Sequence, residues 1–149
     1  MRTVEDEFQE VADRIITTAV LAEEDHSKLT RFWFLWHFRA GLKEKPLEDV
    51  KINGVSALVL TKDAHEILEQ KWLVTVGPNG MVSGRSMAGV QLQAQIAAAS
   101  RAKLRWGVVR ASGGEFAVPD TFQKLMVLPV MPEICFIVDH PDCAIPQAL

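Results

Sequence analysis

Apolar residues recur at steps of three and four along the first segment, VEDEFQEVADRIITTAV, where Val4, Phe8, Val11, Ile15 and Ala19 line up. That spacing gathers them on one face of an α-helix over residues 4–20, and the acids of its first turn suit the positive end of the helix dipole. Thr3, with Asp6 three residues on, approximates a capping box and marks the start. A second helix is predicted from Asp25 or Ser27, either of which suits an N-cap, to about Gly41. Its centre, RFWFLWHFR at residues 31–39, holds five aromatic rings within seven positions. Phe32, Phe34, Trp36 and Phe38 also alternate as a strand requires, but the apolar run extends from Leu29 to Ala40 without turn residues, too long for an ordinary strand.

At about 100° per residue, Leu29, Phe32, Trp33, Trp36 and Ala40 gather on one side of this helix, and Phe34, Leu35, Phe38 and Leu42 nearly opposite. A helix apolar on both sides either lies centrally between layers of its own chain or shares one side with another chain. Under the second alternative Phe34, Leu35, Phe38 and Leu42 form a homodimer interface, because large aromatic residues make good interface anchors.

Asn53-Gly54, flanked by Val50, Ile52 and Val55, predicts a small hairpin, and Thr61 caps a short helix in KDAHEILEQK. WLVTV and MVSGR around Pro78-Asn79-Gly80 predict a second hairpin. From Ser86 an alanine-rich helix follows, with Met87, Val90, Ala94, Ala97 and Ala98 on one face. LRWGVVRAS and EFAV around Gly113-Gly114 make the clearest hairpin signal, and KLMVLPV and EICFIVD add two apolar strands. Helices come early and strands late. The expected class is α+β, with N-terminal helices packed on a mainly antiparallel sheet formed by the C-terminal half, in one globular domain over 1–149.

Composition narrows the function classes. Apolar residues make up 48% and charged residues 23%, which excludes a disordered chain. A net charge of −3 from interspersed acids and bases leaves no basic field for phosphates, and no predicted helix gathers basic residues, so direct nucleic-acid binding is disfavoured. Cys135 and Cys143 lack metal-ligand spacing and are too few for a disulfide framework, so they read as reduced thiols. The acidic N-terminus does not resemble a signal peptide, and no stretch approaches 18 apolar residues; the expectation is a cytoplasmic protein without a membrane segment.

Nucleophile-elbow, Walker, dinucleotide and zinc-helix motifs are all missing, and neither a metal nor a cofactor is expected. His26, His37, His65 and His140 lie in separate predicted elements without ligand spacing, and His65-Glu66 is followed by Glu69 where a zinc-protease helix needs histidine. His140-Pro141-Asp142-Cys143 holds an imidazole, a carboxylate and a thiol, and reads as a polar turn rather than a catalytic group. Asp120, at the end of FAVPD, and Arg39, beside the aromatic run, are candidates either for a structural ion pair or for a ligand or catalytic site.

The order VEDEFQEVADRII, RFWFLWHFR with Arg39, LRWGVVRA with Trp106, EFAVPD with Asp120, and LPVMPEICFIV with Pro129 and Pro132 resembles the domain-of-unknown-function family 4238 over most of residues 4–139. Members of that family carry a histidine- and proline-containing segment before the first helix, which has no counterpart here. They also have a serine-aspartate-x-proline where this chain has Pro119-Asp120-Thr121. The resemblance implies a fold and brings no activity with it.

Two functional readings follow. The first is a non-enzymatic interaction protein, homodimeric through one aromatic side of the second helix; a phage or mobile-element inhibitor that binds a host defence complex is a subtype suggested by small size and acidity. The second is a minimal hydrolase or ligand-binding enzyme with Asp120, Arg39 and His140 around a pocket.

Overall fold

The periodic N-terminal segment winds into a helix whose apolar stripe is its buried side, with Val4, Val11, Ala12 and Ile15 all withdrawn from solvent. In chain order the elements are α1 (Arg2–Thr18), α2 (Glu23–Glu44), β1 (Val50–Lys51), α3 (Lys62–Gln70), a 3₁₀ turn (Pro78–Gly80), β2 (Met81–Val82), α4 (Gly84–Ala99), β3 (Trp106–Ala111), β4 (Val127–Met131), β5 (Ile134–Val138) and β6 (Cys143–Ile145). This computed structural model describes residues 2–18, 20–45, 47–55, 59–71, 73–117 and 126–145. The class is α+β. The chain divides into two compact units, Met1–His37 with Ala98–Leu149, and Phe38–Ala97.

The first unit carries a four-stranded sheet in the order β4-β5-β3-β6. β4 and β5 form a tight hairpin, β5 pairs antiparallel with β3, and β6 pairs parallel with β3. β3 is buried through its first four residues because it is central, with neighbours on both edges. Phe8 of α1 stacks on Phe32 of α2, centroids 3.7 Å apart, and meets Phe136 of β5 edge-on at 6.5 Å, which seats the helix pair on the sheet.

Between β5 and β6 the chain crosses the start of β3. A Cβ on Gly107 would lie 1.8 Å from the His140 carbonyl oxygen, so this close approach of two backbones requires glycine. Asp142 then fastens the crossing, its Oδ1 accepting the Val108 N–H at 2.8 Å. The turn into the crossing uses Asp139 at φ 54°, a left-handed conformation that aspartate tolerates better than most residues.

This topology overturns the clearest hairpin expectation. Residues 115–117 of EFAV form no strand; both edges of β3 are already taken, by β5 and β6, and Phe116 instead donates its N–H to the Pro132 carbonyl at 2.6 Å. The segment expected as a polar turn contributes a strand at its end, β6.

In the second unit β1 pairs antiparallel with β2, and Val76 bridges Val82 across the Pro78–Gly80 turn, so only a remnant of the predicted second hairpin forms. β1 pairs with β2 rather than across Asn53-Gly54 to Val55, and positions 56–58 lie outside the described residues. Thr61 caps α3 as expected, with its Oγ1 accepting the Ala64 N–H. Asp49 Oδ1 accepts the Gly84 N–H at 2.8 Å, supplying the first turn of α4 with an acceptor from a distant segment. The alanine face predicted for α4 is not the buried one: Val90, Ala94, Ala97 and Ala98 are exposed, while Leu92, Ile96 and Ala99 are buried. Leu92 and Ile96 have more apolar area to remove from water than the exposed alanines, which favours their inward placement.

Candidate functional site

Burial along α2 varies with length rather than with angle. Asp25, Leu29, Thr30, Phe32, Trp33 and Leu35 are buried and together span well over half the helix circumference. Beyond Leu35 none is: Trp36 is 43% exposed, and Phe38 and Leu42 are half-buried. Leu35, which the homodimer alternative placed in an interface with Phe34, Phe38 and Leu42, is 0% exposed and therefore offers no surface to a second chain. A wheel averages over the whole helix, whereas this helix runs out of the first unit after His37. Trp33 stacks on His37 with centroids 4.8 Å apart and meets Phe34 edge-on, and its buried Nε1 has no hydrogen-bond acceptor among the described residues.

A polar network joins α1, α2 and β3. Asp25 is fully buried; its Oδ2 accepts the Ala22 N–H at 2.7 Å and is ion-paired with Arg14, while Oδ1 has no partner among the described residues. Asp25 thus acts as the acidic third residue of a capping arrangement rather than the N-cap itself. Glu23 pairs with Arg105 just before β3, and that guanidinium holds its carboxyl below the usual carboxylate range. Arg110 of β3 donates to the Ile15 carbonyl at 2.6 Å, and Arg31 pairs with Glu7 at 2.7 Å. His26 Nδ1 accepts the Trp106 N–H, and the Trp106 indole donates to Thr30 Oγ1. Pattern reading missed this network, since its members are polar residues inside amphipathic segments with no motif of their own.

At the crossing, His140 Nδ1 lies 2.8 Å from the Pro141 carbonyl and 3.8 Å from Cys143 Sγ. A carbonyl only accepts, so Nδ1 carries a proton and has no lone pair to receive one from the thiol. Asp142 is committed to Val108, so imidazole, carboxylate and thiol do not form a relay. Cys135 and Cys143 flank Val109 from opposite neighbouring strands, two strand spacings of roughly 4.8 Å apart, which is beyond the reach of a disulfide. Cys135 is buried, which pushes its thiol up to about 11, with a further contribution from Cys143.

In the second unit, His65 Nδ1 lies 2.8 Å from Thr75 Oγ1, which accounts for that histidine without a metal. Among the described residues no group of three or more His, Cys, Asp or Glu side chains is arranged to hold a metal ion, and no helix is long and apolar enough to cross a membrane. Arg39 is exposed near the end of α2, and Asp120 lies outside the described residues.

The largest feature absent from the sequence reading is apolar. Among the described residues thirteen large hydrophobic side chains are exposed, and nine belong to the second unit: Val50, Ile52, Val55 and Val59, Ile67 of α3, Leu73, Val74, Met81 and Val90. The available signal was the density of aliphatic residues in VKINGVSALVL, where residue period alone leaves the buried set undefined. Comparison of the chain with protein-family models, with curated proteins and with solved structures gives no match.

Proposed function

We propose that the protein is a non-enzymatic interaction module in which the second unit, Phe38–Ala97, associates with a second copy of the chain. The observation that carries this reading is the distribution of exposed apolar side chains: among the described residues, nine of thirteen fall within Phe38–Ala97. Exposed apolar residues scattered singly need no explanation, but their concentration in one region is a cost in water that association removes. The proposed homodimer surface thereby lies in Phe38–Ala97 rather than on the aromatic side of α2.

The test is solution mass by light scattering, for the wild type and for Val50→Glu and Ile67→Glu. A dimer that becomes a folded monomer in either variant supports the reading. A wild type that stays monomeric up to millimolar concentration, or folded variants no less dimeric than the parent, overturns it.

A further inference from the structure

Trp106 at the start of β3 is held to α2 by two hydrogen bonds, and a third within α2 closes the ring. Its backbone N–H donates to His26 Nδ1 at 3.1 Å, its indole N–H donates to Thr30 Oγ1 at 3.0 Å, and the Thr30 hydroxyl donates to the His26 carbonyl at 2.7 Å. Trp106 and Thr30 are buried, so water does not readily replace these partners. A backbone N–H can only donate. His26 Nδ1 therefore presents a lone pair, the ring proton sits on Nε2, and the imidazole is neutral.

We infer that this ring is an acid-sensitive clamp: protonation of His26 at Nδ1 sets a donor against the Trp106 N–H and releases the start of β3 from α2. The other two bonds contain no group that titrates near neutrality, so His26 alone carries the response. Charged groups flank it from each element involved. Glu23 lies three residues earlier on α2 and Arg105 immediately before Trp106, paired with each other, and adjacent Asp25 is paired with Arg14 of α1. Glu23 attracts an imidazolium and Arg105 repels it, and the lost acceptor sets the direction. The clamp contributes at neutral pH and is lost on acidification. All of its parts lie in the first unit, so it is independent of association through the second.

The test is amide hydrogen exchange of Trp106 by NMR in the full chain, followed between about pH 8 and pH 5 alongside the His26 ring resonances. Protection of the Trp106 N–H, corrected for intrinsic exchange, falls about fivefold with the midpoint of the His26 titration, the equivalent of one net hydrogen bond. In His26→Asn, whose Oδ1 offers a non-titrating acceptor, protection stays level. Protection that stays constant while His26 titrates, or that falls equally in His26→Asn, overturns the inference; the wild-type titration decides alone where the variant does not fold.

Discussion

Replacing Gly107 by alanine places a methyl group 1.8 Å from the His140 carbonyl oxygen, 2.8 Å from its carbon and 3.1 Å from the Pro141 carbonyl carbon. All three are backbone atoms, so no side-chain rotation relieves the overlap, and the crossing has to lift by more than an ångström. That movement separates Asp142 from the Val108 N–H and draws β6 off β3. Overpacking costs about 1–3 kcal/mol, and losing a hydrogen bond to a charged acceptor costs a further ~1.5–3 kcal/mol. The sum, roughly 2.5–6 kcal/mol, is a large share of a domain's usual ~5–15 kcal/mol. Urea unfolding followed by circular dichroism measures it. Gly41→Ala is the matched control: it lies inside α2 with nothing within 4 Å of the added Cβ, and gains roughly 0.5–1 kcal/mol from helix propensity. A Gly107→Ala protein within 0.5 kcal/mol of wild type, measured beside a stabilised Gly41→Ala, refutes the crossing of residues 139–142 over β3.

Other outcomes follow from the same geometry. Arg14→Ala leaves the buried Asp25 carboxylate without its cation, and Asp25→Ala removes the acceptor of the Ala22 N–H; each destabilises by at least ~1 kcal/mol, and denaturation of the double mutant shows a loss well below the sum. The thiols separate by reactivity: with native protein at neutral pH, an aromatic disulfide reagent titrates half-buried Cys143 ahead of Cys135, and equal rates contradict the burial of Cys135. Because the fold raises the Cys135 thiol from 9.0 to about 11, it favours the neutral form, and the stability this supplies is complete below about pH 9 and is lost as pH rises towards 11. A pH series of urea midpoints in wild type and Cys135→Ala shows that alkaline loss in the former and a shallower one in the latter.

Local signals were legible where one periodicity dominated. The stripe of α1, the Thr61 cap and the apolar strands β4 and β5 all appear in the residues themselves, because each depends on neighbours three or four positions away or on a short continuous run. Non-local competition decided the rest. Gly113-Gly114 has the chemistry of a hairpin turn, yet β3 pairs with residues 24–34 positions further along, and local turn chemistry does not report that alternative. The α2 wheel did not separate buried Leu35 from half-exposed Trp36, because burial there changes along the axis as well as around it. The His26 clamp was hidden for a related reason: residue 26 meets residue 106 only after β3 has been seated.

The proposed role turns on whether the exposed aliphatic side chains of the second unit are covered by another copy. Hydrogen exchange mapped by mass spectrometry on dilute and concentrated samples addresses this directly, because covering a surface slows exchange in the backbone beneath it. The account predicts added protection on concentration in peptides spanning residues 50–55 and 62–70, with little change in β3 and β5. Exchange that is identical at both concentrations, or that slows only in the four-stranded sheet, contradicts it.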